Sequence, residues 1–548
     1  MIPASRRCLL CSNQLRLSSV SYPLLRRRSA VPAEAPSPAV ASVGNDQTVL
    51  EVPSICPVSS TKKRHVVTNV KPYEEVPGPK GLPFIGSLLD YMGNGPYSME
   101  KMHLATIDRF RQYGPVYKET LAGITHLHII EPDDVKELLR HEGPNPRRIT
   151  LDPMVAYRKL RNRNIGMSNL QGDEWRRLRQ PFNHLLFKPD QLNTYLPKTE
   201  KCAEDFCQLV KNIRTPDGEV PDFIRQIQRW TLETLGSVVL DSRIGCMDQN
   251  LSPQAERVIT SAIHFFNGLG DLIYGLPLYK IGIYNETWKK FVAAQDFFFE
   301  FMLSYVHDTI NSMSREFRAP SDSQPLVREA NFLETLLVTH SNVGPEMISD
   351  LLNDLLLGAI DTTSSTFSFI IYNLAKNPEC QEKVYEEISR VLSPDEPVTP
   401  EVLQMLPYLK ACVKESARLF PTIDGTSRIL DKNITLSGYN IPANSIIRIH
   451  AVAGMMSEYV PEPEKFQPER WLRAADRSIL ANPYLTITFG VGFRGCLGKR
   501  FAEQQIHTGL VKLLQNFRFE WHREDISLDF KITSRPSSPM QPKVFDRS

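Results

Sequence analysis

Ten residues near the C-terminal end limit what this chain can fold into more than any other stretch: Phe489-Gly490-Val491-Gly492-Phe493-Arg494-Gly495-Cys496-Leu497-Gly498. Four glycines argue against regular helix or strand, because glycine loses the most conformational freedom on ordering. They suit a tight turn that another body approaches closely. A helical pattern follows at once, with Leu497, Phe501, Ala502, Ile506, Leu510 and Leu514 on one face. A cysteine just before a helix meets backbone N–H groups and the positive end of the dipole, which lower a thiol pKa. The loop therefore reads as a holder for a thiolate. A nucleophilic cysteine needs a His partner, and none stands near it in sequence. A thiolate metal ligand, with a flat cofactor lying against the glycines, fits better.

The remaining composition is that of a globular protein. The chain has 548 residues, 41% hydrophobic and 23% charged, enough to bury a large core. Lys+Arg is 64 against 62 Asp+Glu, net +2, so there is no basic excess of the kind nucleic-acid binders carry. Nine cysteines, an odd number without paired spacing, point away from a disulfide-stapled module and toward a reducing compartment. Cys8-x-x-Cys11 has no second pair and reads as incidental. No run of 18 apolar residues occurs, so no transmembrane helix is predicted.

Residues 1–33 hold six arginines (Arg6, Arg7, Arg16, Arg26, Arg27, Arg28), frequent serine and no acid before Glu34. That is transit-peptide composition, a cationic segment drawn by a membrane potential negative inside. Without it, 58 basic residues face 62 acidic ones, a net charge near −4, so any positive patch must be local. Residues 34–71 read as a linker, and an ordered domain is expected over 72–548. Most of that domain reads as helix, including Pro132–His141, Pro189–Arg214, Pro253–Phe266, Pro345–Lys376 and Leu409–Leu419. Strand-like runs are short: Val116–Leu121, His126–Ile130, Ile434–Leu436 and Ile446–His450. The expectation is one mainly α domain with small β-sheets. Residues 263–284 are apolar yet loop-rich, and suit either a buried connection or a patch dipping into a membrane surface.

F-x-x-G-x-R-x-C-x-G, met at Phe489, Gly492, Arg494, Cys496 and Gly498, resembles the haem-binding signature of the cytochrome P450 family. The resemblance, to a mitochondrial-type animal member, covers about residues 72–548. It implies the P450 fold as a single haem-thiolate domain, haem b (iron protoporphyrin IX) with Cys496 as axial thiolate, and Arg494 paired with a haem propionate.

Four further features carry the same resemblance. Glu415 and Arg418 share a helix face at i and i+3, and Arg470 follows in Phe466-Gln467-Pro468-Glu469-Arg470. This resembles the family's buried ion triad that supports the cysteine loop. Leu356-Leu357-Gly358-Ala359-Ile360-Asp361-Thr362-Thr363 lies mid-helix, where unpaired polar groups cost about 1–3 kcal/mol each. It resembles the oxygen-activation segment, in which an acid and an alcohol deliver protons. Ala359 stands at the second small position where Gly is usual, which tightens the groove. Trp175 and Arg179, one turn apart, resemble a W-x-x-x-R pair that holds a propionate. Arg428 occupies a position that often carries another basic propionate ligand.

The resemblance also implies an electron donor. Lys410 and Lys414 match where mitochondrial relatives dock an acidic two-iron ferredoxin, itself reduced by an NADPH-dependent reductase, and Lys499 and Arg500 extend the cationic patch. The function expected is monooxygenation of an apolar substrate, sterol, steroid or xenobiotic, at the matrix side of the mitochondrial inner membrane with peripheral membrane contact. Phe265, Leu357, Ile360, Ile423, Asp424 and Ile532 are expected to line the pocket, Asp424 orienting a hydroxyl. Two alternatives remain, a haem-thiolate isomerase and a non-catalytic haem or steroid-binding protein. Neither needs Asp361-Thr362 or a donor surface.

Overall fold

Proline sets the start of seven helices: Pro132–His141, Pro189–Ile213, Pro253–Tyr274, Pro345–Lys376, Pro378–Val391, Pro400–Gln404 and Pro407–Leu419. At the first helical position its missing N–H costs nothing and its φ is already helical. The computed structural model describes residues 70–318, 330–341, 343–472 and 482–547. The expected leader, residues 1–33, and residues 34–69 of the expected linker lie outside the described residues.

Pro345–Lys376 is the central helix, packed against Phe223–Val239, Glu286–Arg318 and Pro407–Leu419. It is long and apolar enough to cross a membrane, but most of it is buried inside the protein, as a core helix is. Its 32 residues span about 48 Å at 1.5 Å per residue. Helix Lys499–Asn516 follows the cysteine loop and packs on Pro189–Ile213.

Among the described residues ten short strands flank this helical body: β1 (Val116–Leu121), β2 (Ile124–Ile129), β3 (Gly425–Ile429), β4 (Ile434–Leu436), β5 (Tyr439–Ile441), β6 (Ile446–His450), β7 (Phe517–Glu520), β8 (Leu528–Phe530), β9 (Ser534–Pro536) and β10 (Lys543–Asp546). Strands β1-β2-β6-β3 form the largest sheet. Only β2 and β6 run parallel, with His128 opposite Arg448. Leu127, Ile129, Ile447 and Ile449 turn one face to a buried apolar cluster. The mainly α fold class stands as expected.

Two expectations change. Pro253 begins a helix that runs to Tyr274, past the expected end at Phe266 and through Gly268 and Gly270. The glycines pack rather than break: a Cβ at Gly268 would lie 3.0 Å from Phe291 Cβ, and one at Gly270 2.9 Å from Lys531 Cβ. The apolar stretch 263–284 thus divides. Phe265, Phe266, Leu269 and Leu272 are core, whereas Tyr274, Leu276, Ile281, Ile283 and Tyr284 are exposed.

Candidate functional site

Two residues with left-handed φ shape the cysteine loop, Gly490 at 69° and Gly492 at 67°, which glycine adopts freely. A Cβ at Gly492 would stand 2.1 Å from Glu142 Oε1, so any side chain there would strain the backbone and push the Glu142 carboxylate from its place. The Cys496 N–H donates to Phe489 O at 2.7 Å and closes the loop. Among the described residues Cys496 is the exposed cysteine; Cys202, Cys207, Cys246, Cys380 and Cys412 are buried. The Gly498 N–H points at the Cys496 sulfur. The depressed thiol pKa expected from the sequence is not met. Burial pushes the thiol up, and the Gly498 N–H, Arg179 and Lys499 pull back less strongly. A bound metal cation reverses that balance, because a coordinating thiol is deprotonated outright.

Beside the loop lies a cluster of arginines with too little counter-charge. Arg494 stacks over the buried Trp175 ring, 4.3 Å from its centroid, and Arg179 lies 5.5 Å from the same ring. Arg179 Nη2 donates to Gly495 O at 2.6 Å, and Arg494 Nη2 donates to Leu170 O at 2.6 Å. Arg428, on β3, pairs with Glu142 and donates to Val491 O, so it also braces the loop. Arg148, which no motif marked, joins them. Burial, then Arg148, Arg428 and Arg179, pulls Arg494 down to about 8, and burial with Arg428 and Arg179 pulls Arg148 down to about 10. Arg494 Nε and Nη1 are buried without a partner. Buried guanidinium groups left this way are costly. The cluster therefore fits a ligand that brings carboxylates, and the sulfur beside it fits a soft or borderline metal. Haem, with two propionates and an iron, supplies both.

The triad residues meet below the loop. Arg418 Nε and Nη2 donate to Glu415 at 2.9 and 2.8 Å, with both side chains fully buried. Arg470 Nε lies 3.3 Å from the same carboxylate. Trp471 Nε1 adds a bond of 2.8 Å that the sequence did not suggest. Gly454 packs between Arg418 and the Leu485-Thr486 segment, and so links the triad to the chain entering the cysteine loop.

On the central helix, Thr362 Oγ1 donates to Gly358 O at 3.0 Å, the expected bond back to the preceding turn. Gly358, Ala359, Thr362 and Thr366 are partly accessible while the residues around them are buried, so an open stripe runs along one face. A Cβ at Gly358 would touch nothing within 4 Å. Asp361 is off that stripe. Its carboxylate is buried and accepts from Thr533 Oγ1, with Arg535 beside it.

A family model, Cytochrome P450, matches residues 76–544. The chain belongs to the cytochrome P450 family. "Cytochrome P450 10" of Lymnaea stagnalis is 32% identical over 483 residues, 87% of this chain and 86% of that protein. "Probable cytochrome P450 12a5, mitochondrial" of Drosophila melanogaster is 31% identical over 505 residues, 87% and 91% of the two chains. "1,25-dihydroxyvitamin D(3) 24-hydroxylase, mitochondrial" of Rattus norvegicus is 28% identical over 469 residues, 85% and 86%. P450s are haem-thiolate oxidoreductases with a cysteine axial ligand to the haem iron.

In this P450 the four cations named from sequence come together. Lys410, Lys414, Lys499 and Arg500 all act on one carboxylate, Glu503, in the helix behind the cysteine loop; burial pushes it up and they pull it down. Burial and Lys414 lower Lys410. The expected pocket residues do not all meet. Ile423 is accessible and Ile532 partly so. Phe265, Leu357 and Ile360 are buried in the core, with Phe265 stacked on Phe291. Asp424 is taken by His450 and Arg448; burial pushes it up, but His450, Arg448 and His103 bring it down to about 2.

Proposed function

We propose that this P450 is a monooxygenase that inserts one oxygen atom of dioxygen into an apolar sterol, steroid or xenobiotic, with electrons from a two-iron ferredoxin and its NADPH-dependent reductase. The observation that carries the cofactor assignment is the arginine cluster, with two unpartnered nitrogens on Arg494, beside the one exposed cysteine among the described residues. Cys496 Sγ ligates the iron, and Trp175, Arg179, Arg428 and Arg494 hold the propionate side, with Arg148 added by the structure. Phe489 lines the loop. Bound haem supplies the redox chemistry that activates dioxygen.

The protein's part is positioning and proton supply. Thr362 Oγ1 lies on the accessible stripe, held by Gly358 O, where its hydroxyl can pass a proton. Asp361 is the adjacent carboxylate that resupplies it. Gly358 and Ala359 keep side chains out of the groove. An apolar substrate displaces water and presents one C–H bond by orientation alone. Lys410, Lys414, Lys499 and Arg500 form the local cationic face for the acidic ferredoxin. Two relatives named mitochondrial, together with the arginine-rich residues 1–33, support import to the mitochondrion and residence at the matrix side of the inner membrane. Leu276, Ile281, Ile283 and Tyr284, all exposed, suit a peripheral membrane contact.

The deciding experiment is a reduced carbon-monoxide difference spectrum of the purified holoprotein. A Soret band at the thiolate position is expected, and Cys496→Ala should abolish it. A histidine-type spectrum, or a band that survives the substitution, would remove the assignment. Import into isolated mitochondria with and without residues 1–33 checks the address.

A further inference from the structure

The tip of hairpin β8–β9, residues 531–535, touches three elements at once. Thr533 is 3% exposed, and its Oγ1 donates to Asp361 Oδ2. Arg535 Nη2 lies 3.4 and 3.5 Å from the two oxygens of the same carboxylate. Arg535 Nη1 donates to Asn267 Oδ1 at 2.6 Å, on helix Pro253–Tyr274. Lys531 Nζ pairs with Asp271 on that helix at 3.0 Å. Ser534 N donates to Thr422 O at 2.8 Å, and Thr422 Oγ1 meets Thr366 Oγ1 at 2.6 Å. The Asp361 side chain is 3% accessible and that of Arg535 28%.

Burying a polar group costs free energy unless it is paired or hydrogen-bonded. No other charged group is bonded to Asp361 among the described contacts, so the direction of its carboxylate depends on this hairpin. Asp361 thereby lies between Thr362, on the accessible stripe, and Arg535, which reaches toward solvent. We propose that Arg535 and Thr533 are positioning residues for proton delivery: they hold the Asp361 carboxylate in place, and Asn267 fixes the Arg535 guanidinium. This rests on the reading of Asp361 and Thr362 as the proton relay.

The test needs neither the natural substrate nor the natural donor. Electrons are supplied to the holoenzyme by photoreduced deazaflavin, without substrate. Each dioxygen then takes two electrons and two protons to hydrogen peroxide, or four of each to two waters. Timely proton delivery favours water. Asp361→Asn should raise the peroxide fraction; if it does not, the relay reading fails and this inference with it. Arg535→Gln and Thr533→Val should each raise the fraction about threefold or more, less than the roughly hundredfold that a positioned acid or base itself contributes, because both act only through Asp361. Arg535→Lys, which keeps the charge, should return it most of the way toward wild type. If Asp361→Asn raises peroxide but Arg535→Gln and Thr533→Val do not, the relay survives and the positioning role is overturned. A purely structural role would make Lys no better than Gln. A second readout, independent of turnover, is amide hydrogen exchange in the same protein. Arg535→Gln should speed exchange at residues 531–534 and leave the central helix unchanged. Wild-type protection at those residues would show that Arg535 does not hold the hairpin, and would also overturn the proposal.

Discussion

Glu142 accepts the backbone N–H of Phe493 at 3.0 Å, joining the end of helix Pro132–His141 to a loop 351 residues later in sequence. The same carboxylate pairs with Arg428. Among the described residues it is thus the one acid bonded to the cluster of Arg148, Arg179, Arg428 and Arg494, and it fixes both the loop backbone and one of its braces. Glu142→Ala would leave Arg428 buried without its partner. Breaking a buried pair costs about 3–5 kcal/mol. We expect a lower urea midpoint and faster haem loss, while Glu142→Gln, which can still accept from Phe493, should fall between. Haem retention equal to wild type in the alanine variant would show that the loop does not depend on this link.

The Glu415 carboxylate offers a graded test of the triad. Glu415→Ala strands Arg418, whose side chain is fully buried, and should cost about 3–5 kcal/mol. Trp471→Phe removes only the indole N–H from the same oxygen and should cost about 1–3 kcal/mol, the penalty of one lost bond at a buried charge. Denaturant midpoints of the two variants give the ranking. If Trp471→Phe proved the more damaging, the triad would not be the principal support below the loop.

Local chemistry explains which features could be read in advance. The central helix was legible to the residue, since Pro345 opens it and Asn377-Pro378 forces its end. Strand β3 was not. Gly-Thr-Ser-Arg-Ile has no apolar alternation, and it becomes a strand only by pairing with β6, Arg428 opposite Ile447. Cys496, Arg494 and the Glu415–Arg418 pair have fixed short spacings. Glu142, Arg148, Trp471, Thr533 and Arg535 act across loops of tens to hundreds of residues, and no spacing marks them. The thiol follows the same rule: the helix start and the N–H groups are visible in sequence, but the desolvation that outweighs them without a metal is not.

Asp350 provides a pH test. It is buried beside Arg158 and Asp354. Burial pushes it up to about 6, with Asp354 adding and Arg158 opposing. The folded state therefore binds this proton more tightly than the unfolded chain, whose value is near 3.8. The stability contributed is fully present below the unfolded value and is lost as pH rises through about 6. Asp350→Asn removes this dependence. The difference in urea midpoint between wild type and the variant should move in the variant's favour between pH 5 and 7. A difference independent of pH over that window would mean that Asp350 is ionised throughout.

Glu503 makes the donor face testable in both directions. Four cations surround it, so the carboxylate lowers the local positive charge that an acidic ferredoxin would meet. Glu503→Gln adds one net positive charge without disturbing Lys410 or Lys414, and should tighten ferredoxin binding about threefold at low salt. Lys410→Glu with Lys414→Glu reverses two charges and should weaken it tenfold or more, a change of about 1.4 kcal/mol per factor of ten. Both effects should shrink at high salt, because exposed charges beyond a Debye length of about 3 Å at 1 M are screened. The reading is titration of the holoprotein with reduced and oxidised two-iron ferredoxin. Lysine reversals that leave binding unchanged would place the electron-donor contact elsewhere. A loosened complex in Glu503→Gln would mean that the carboxylate orders the lysines rather than opposing them.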